Sequence, residues 1–274
     1  MKKHFRLLIF LLALCGMIPL SAYADDSGSC GFSVTWSYTS SIGKLTISGT
    51  GAMTNYSSTN SIPWKNYQGD IKTVEIQSGV TSIGKYACYN CSTMTSVSIP
   101  NTVTTIGEYA FATCKGLTSV TIPGSVTEIK DYAFSECTSL TSIDIPNSVT
   151  SIGRSFWNCT KLTSVTIGSG VTSIGDYAFY LTKLTTVTNN ATTPQTINAE
   201  VFSSLTPSKI TLIVPTASVN AYKSADVWKN FKIAVKQWES GGTTCTLYDD
   251  GSFVVAPTDG ESGAMADYSI NTQV

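Results

Sequence analysis

A mainly β fold with few short helical turns, wound as a solenoid of short repeats, is what this sequence predicts, and three observations predict it. Hydrophobic residues recur every 22 or 23 positions from Ile71 to Leu184. Inside each period, two short runs alternate apolar and polar residues, the pattern of half-buried strands. On both sides of the periodic stretch, separate alternating segments stand at Phe32 to Ile47 and at Leu212 to Val214, where an array of stacked strands needs closed ends.

The repeat is explicit in the residues. Leu117, Val120, Ile122, Val126, Ile129, Phe134 and Cys137 are followed one period later by Leu140, Ile143, Ile145, Val149, Ile152, Phe156 and Cys159. Units begin at Ile71, Met94, Leu117, Leu140 and Leu162, with a partial one at Leu184. A period of this length with this pattern is that of a leucine-rich-repeat solenoid. The first run, Val120 to Pro123, predicts a strand with Val120 and Ile122 inward, stopped by the proline. The second, Val126 to Ile129, predicts a shorter extended segment with Thr127 and Glu128 outward. A tight turn follows, carrying glycine at Gly107, Gly153 and Gly175, and then a Tyr-Ala-Phe corner at 109–111, 132–134 and 177–179 whose phenylalanine fills the interior. At Arg154, Ser155 and Phe156 the corner departs from this pattern and a residue is lost, which predicts a local change of curvature. The apolar side chains of one unit do not offset the ordering of its backbone, so no unit folds alone and stability is cooperative along the array.

The ends complete the plan. Phe32, Val34 and Trp36 alternate before Tyr38, a glycine-containing turn spans Ser40 to Lys44, and Leu45 and Ile47 alternate again, predicting a β-hairpin N-terminal cap. Trp64 and the strand from Ile71 lead into the first repeat. After the Leu212–Val214 strand, Val219, Tyr222, Trp228 and Phe231 fall at helical spacing, predicting a short helical C-terminal cap. Cys245 to Tyr268, with Gly251, Phe253, Gly263, Ala264 and Met265, echoes Cys30 to Tyr56. The expected layout is residues 1–24 signal peptide, 25–70 N-terminal β cap, 71–205 repeats, 206–240 C-terminal cap and 241–274 a partial second cap-like segment.

Lys2, Lys3 and Arg6 precede an apolar run from Leu7 to Leu20, and Ala22 and Ala24 flank Tyr23. This is the pattern of a secretory signal peptide cleaved after Ala24. No segment after it has the ~20 apolar residues of a membrane span. Cys15 follows Leu14, where a lipid-attachment motif needs a small residue. Without the three basic residues of the leader, 14 of the 17 Lys and Arg remain against 18 Asp and Glu, a net charge of −4. That balance lacks the basic footprint of a nucleic-acid binder. The leader also holds the only histidine, His4. A mature chain without histidine has neither a Ser/His/Asp nor a Cys/His nucleophile pair, nor the common zinc ligand sets, and no cofactor is implied. Cys91, Cys114, Cys137 and Cys159 stand 23, 23 and 22 residues apart at one register. They are expected to stack as small buried hydrophobes.

Outward positions of the main strand are Thr95, Ser96 and Ser98; Thr118, Ser119 and Thr121; Thr141, Ser142 and Asp144; and Thr163, Ser164 and Thr166. Threonine is a good strand former in its own right. As a surface, these rows offer a flat, uncharged face for a protein or glycan ligand. Two other readings apply to them: an ice-binding face, since Thr-x-Thr rows order water, and a glycan-processing enzyme using carboxylates alone, with Glu108, Asp131, Asp144 and Asp176 as candidates. Asn-x-Ser/Thr triplets start at Asn55, Asn90, Asn158 and Asn190.

The units resemble the BspA-like, or Treponema-type, leucine-rich repeat in their Leu, Val, Ile-Pro, Val, Ile-Gly, Tyr-Ala-Phe and Cys positions. The resemblance runs from Cys30 to about Phe231 and includes Gly51-Ala52-Met53, Val214-Pro215, Ala221-Tyr222 and Trp228-Lys229-Asn230-Phe231. It implies an exported bacterial or protist surface protein, non-enzymatic, with adhesion to host extracellular matrix or other cells as the expected role. It supplies no catalytic residues.

Overall fold

The computed structural model describes residues 24–240, 243–248 and 251–257. Their regular elements are mostly strands, with one short α-helix. Of the expected signal peptide only Ala24 falls among them, and the expected echo at Gly263 to Tyr268 lies outside them.

Three sheets form. In the first, β1 (Asp26–Ser29), β2 (Val34–Thr39) and β3 (Lys44–Gly49) pair antiparallel, and β3 passes to β5 (Thr73–Ile76) and β7 (Ser96–Ser98) in parallel. The second sheet is parallel throughout and joins β4 (Gly51–Ala52), β6 (Val80–Ile83), β8 (Thr105–Ile106), β9 (Glu128–Ile129), β11 (Ser151–Ile152) and β13 (Ser173–Ile174). The third runs parallel through β10 (Ser142–Ile145), β12 (Ser164–Ile167), β14 (Thr186–Asn189), β15 (Thr211–Ile213) and β16 (Lys232–Ser240), then antiparallel through β17 (Thr243–Tyr248) and β18 (Phe253–Pro257).

The registers place like on like. Ile83, Ile106, Ile129, Ile152 and Ile174 are successive partners across the second sheet. Ile143, Val165, Val187, Leu212 and Ile233 are successive partners across the third. A one-residue slip would turn these apolar side chains to water, so the alternation read from the sequence pins the pairing.

One expected strand is missing. Residues 118–123 form no strand with β7 or β10, and the first and third sheets are separated there. Val120 is accordingly half-buried, while Leu117 and Ile122 remain buried. The apolar pattern fixes which side chains point inward; it does not require that the backbone groups between them bond to protein when water can reach them. Phe32 is a second departure: it is fully exposed, and the buried alternation of β2 is Val34, Trp36 and Tyr38.

The core is columnar. Phe111, Phe134, Phe156, Phe179 and Phe202 stack at 5.3, 5.7, 5.7 and 5.5 Å between ring centres. Trp228 and Phe231 meet the last ring edge-on, and the Trp228 indole N–H donates to Gln195 O at 2.9 Å. At the other end Trp64 is fully buried, donates to Ala87 O at 2.9 Å and packs edge-on against Trp36. The helix α1 (Val219–Ser224) places buried Tyr222 beneath Ala191, whose carbonyl accepts its hydroxyl at 2.9 Å. The cysteine column is as expected: Cys91, Cys114, Cys137 and Cys159 are buried, with no disulfide among them. The thiols of Cys114, Cys137 and Cys159 donate to Cys88 O, Phe111 O and Phe134 O at 3.1–3.2 Å.

At each corner the chain turns through left-handed residues. Tyr86, Tyr109, Tyr132 and Tyr177 have φ between 55° and 62°, and Asn90, Thr113, Glu136, Asn158 and Leu181 between 56° and 58°. Two such residues, or Asn158 alone in the fourth corner, fold the chain back on itself, at a cost that asparagine bears more easily than the others.

Candidate functional site

The twelve outward positions are accessible to different degrees. Thr95, Ser96, Ser98, Thr118, Ser119, Thr121, Thr141, Ser142, Asp144 and Thr163 are exposed, whereas Ser164 and Thr166 are half-buried. The third sheet brings Ser142 beside Ser164 and Asp144 beside Thr166, and continues the rows to Thr186 and Thr188. The first sheet sets Ser96 beside Thr73 and Ser98 beside Glu75. Thr118, Ser119 and Thr121 stand on the segment outside both ladders, so the twelve residues do not make one unbroken lattice.

Several hydroxyls are already engaged. Thr95 Oγ1 donates to Lys72 O at 3.3 Å and Thr163 Oγ1 to Thr141 O at 3.2 Å. On the second sheet the same device recurs: Thr104, Thr127, Thr150 and Thr172 donate to the carbonyls of Thr81, Thr104, Thr127 and Thr150 at 3.1–3.2 Å. A third row, Thr102, Ser125 and Ser148, donates to Val80 O, Val103 O and Val126 O at 2.6–2.7 Å. The abundance of Ser and Thr is therefore in part a structural suture between repeats. Of the twelve positions, the exposed hydroxyls of Ser96, Ser98, Thr118, Ser119, Thr121, Thr141 and Ser142 are the ones that face outward for a ligand.

Three of the candidate carboxylates are engaged by neighbours. Glu108 is ion-paired with Lys85 at 2.7 Å, Asp131 Oδ1 accepts the Arg154 backbone N–H at 2.9 Å, and Asp176 Oδ1 accepts the Asn198 side-chain amide at 2.5 Å. Glu108 and Asp131 share one shallow groove with Glu128, and Asp131 and Asp176 share another with Arg154. Asp144 belongs to neither, lying on the third sheet.

An outer column follows the corner. The rings of Tyr86, Tyr109 and Tyr132 stack at 5.1 and 4.7 Å. Where the fourth unit lacks its tyrosine, the Arg154 guanidinium lies 5.5 Å from the Tyr132 ring centre and 4.9 Å from that of Tyr177, and donates to the Tyr132 hydroxyl at 2.6 Å. The shortened corner is thus filled by a cation between two rings. The fixed register of the tyrosines, and Arg154 in place of one, were visible in the sequence; that the guanidinium would lie between the two flanking rings was not.

Burial holds the column thiols in the protonated form. Cys159 is pushed up to about 12, and Cys114 and Cys137 well above their ordinary range, in each case chiefly by desolvation. These cysteines are packing groups without nucleophilic character. Among the described residues no helix is long and apolar enough to cross a membrane.

Residues 81–209 match the model of the BspA type leucine rich repeat region, in six copies. No curated protein sequence is significantly similar to the chain. Among solved structures, the chain is similar to the Treponema pallidum leucine-rich-repeat protein, with 24% identity over 65% of this chain and 77% of that one and a TM-score of 0.48. It is also similar to a leucine-rich-repeat protein from Eubacterium ventriosum, at 21% identity over 71% and 79% of the two chains, TM-score 0.39. A third is a leucine rich cell surface protein from Faecalibacterium prausnitzii, at 23% identity over 85% of this chain and 61% of that one, TM-score 0.47. Across residues 81–209, with their 22- and 23-residue registers and six matched copies, this chain carries BspA-type leucine-rich repeats.

Proposed function

We propose that this chain is a non-enzymatic binding module of the bacterial cell surface, wound as a leucine-rich-repeat solenoid with a β-hairpin cap at its N-terminal end and a short helical cap at its C-terminal end. Its role is adhesion, through a protein or glycan ligand such as a component of host extracellular matrix. Secretion rests on the signal-peptide pattern of residues 1–24. The observation that carries the reading is the in-register outward row of the third sheet, where exposed Ser142 and Asp144 stand beside Ser164 and Thr166. Such a surface binds through many small contacts spread over its area, since these four outward residues carry no aromatic ring.

An array of extracellular-matrix proteins and glycans, probed with the purified chain from residue 25, tests this. Binding is expected, and it is expected to vanish in the triple variant Thr121→Arg, Asp144→Arg, Thr166→Arg with the fold unchanged by circular dichroism. Binding that survives all three changes places the ligand elsewhere, and polysaccharide turnover by the pure protein would replace the adhesion reading with an enzymatic one.

A further inference from the structure

Beside the N-terminal hairpin opens a concavity of about 470 Å³, a volume within the range of small-molecule sites. Its aromatic wall is the stacked pair Tyr38 and Tyr67, with 4.4 Å between ring centres and 23° between planes. Tyr38 is buried behind, Tyr67 half-exposed in front, and the Tyr67 hydroxyl donates to Asp26 Oδ2 at 3.1 Å. Four exposed side chains complete the lining: Ser40, Asp70, Lys72 and Thr93.

The scaffold is stiff. Gly43, at φ +63°, brings the hairpin turn directly onto the chain opposite; a Cβ there would stand 2.6 Å from Asp70 O. The Lys72 N–H donates to Gly43 O at 2.8 Å, and the Thr93 hydroxyl is bound to Gly69 O and Ile71 O at 2.9 Å each. Three separate turns are thereby fixed around one hollow. Burial, and then the neighbouring Asp70 and Asp25 carboxylates, hold the Tyr38 phenol above its ordinary range, which marks the acidic side of the hollow.

The lining selects among ligands by charge. A carboxylate and an ammonium face the same space, and among the described residues neither Asp70 nor Lys72 is in an ion pair. A cation is opposed by Lys72 and an anion by Asp70. A wholly apolar ligand would strip water from both charges with nothing in return. A neutral polyol suits each group: its hydroxyls donate to Asp70 and accept from Lys72, while its C–H face lies on the aromatic wall. From this we infer that the concavity is a site for a neutral sugar, of mono- or disaccharide size. It shares no residue with the hydroxyl rows of the sheet and goes beyond the reading built on them.

Saturation-transfer and amide-shift NMR on the purified chain test the proposal, with glucose, galactose, mannose and N-acetylglucosamine as neutral probes, sialic acid as the anion and glucosamine as the cation. At least one neutral sugar is expected to shift the Asp70, Lys72 and Thr93 amides saturably. Asp70→Ala and Lys72→Ala are each expected to weaken it about tenfold, and Ser40→Arg, at an exposed position on the wall, to abolish it. The triple arginine variant of the sheet face should bind the sugar as before. The proposal falls if no neutral sugar shifts these amides, if a charged probe binds in preference, or if binding persists in Ser40→Arg. It also falls if the sheet-face variant is the one that loses the sugar. Loss of matrix binding in that variant with sugar binding kept supports both sites separately.

Discussion

The guanidinium of Arg154 sits 4.9 Å from the ring centre of Tyr177 and 5.5 Å from that of Tyr132, in the place that a tyrosine takes in the neighbouring repeats. The fourth unit is one residue shorter here, and the long planar side chain reaches back into the column from a displaced backbone. Its Nε donates to Asp176 O at 3.1 Å and its backbone N–H to Asp131 Oδ1 at 2.9 Å. Arg154→Ala is expected to cost about 1 to 2 kcal/mol in urea unfolding. Arg154→Lys should recover less than half of that, because an ammonium does not stack as a plane between two rings.

Leu181 is the aliphatic member of a left-handed row, at φ 56° and 41% exposed. In Asn90 and Asn158 the same row carries the residue that tolerates this conformation. Leu181→Asn relieves backbone strain while giving up little burial, so it is expected to stabilise the protein by about 0.5 to 1 kcal/mol. A rise in Tm checks it.

Gln195 is buried and joined on every side. It accepts from Asn189 Nδ2 at 2.8 Å, donates to Val171 O at 2.8 Å, and its backbone carbonyl takes the Trp228 indole. Gln195→Ala leaves the Asn189 amide and the Val171 carbonyl without partners in the interior. The expected loss is about 2 to 4 kcal/mol, read by denaturant unfolding.

For the thiols the sign follows from their raised values in the folded chain. Unfolded cysteines ionise near 9.0 while Cys159 holds its proton to about 12. Below 9 the contribution is therefore fully present. Above it the unfolded chain binds fewer protons and stability falls as pH rises, by about 1.4 kcal/mol per unit for each such thiol. Unfolding midpoints between pH 8 and 10.5 should decline accordingly. A thiol reagent at pH 8 should leave Cys114, Cys137 and Cys159 untouched until denaturant is added.

Phe156 bears on both neighbours in the ring column, at 5.7 Å each. Phe156→Ala is expected to cost about 3 to 5 kcal/mol without creating a stable half-folded state, since each repeat depends on the next. A single cooperative transition at lower denaturant is the result to look for.

What could be read in advance follows from what a period encodes. Phe134 and Cys137 reappear one turn later as Phe156 and Cys159 because an inward slot repeated in space must repeat in sequence, and both columns were legible for that reason. Hydrogen bonding along the backbone carries no such mark: Val120 and Ile122 have the right alternation, yet their segment stays outside the ladders. The left-handed corners were hidden because tyrosine, threonine, glutamate and leucine occupy them beside asparagine. Asn189 fills the slot of Ile167 one repeat earlier, and the Gln195 amide, six residues on, together with the Ala191 N–H, satisfies the buried amide there. Of the stretch that echoes Cys30 to Tyr56, the described part pairs β17 with β18 antiparallel, with Gly251 at φ 84° between them, as Gly43 lies between β2 and β3. The candidate sheet face was legible as outward residues, whereas the hollow by Tyr38 and Tyr67 depends on three turns far apart in the chain that no local pattern links.

Each threonine suture reaches back only as far as the previous repeat: Thr150 to Thr127, Thr127 to Thr104, Thr104 to Thr81. A unit so fastened needs to recognise nothing but its immediate predecessor. Copies can then be inserted or lost inside the array with every junction chemically the same as before, and the length of the protein becomes something that gene duplication can change without inventing a new fold.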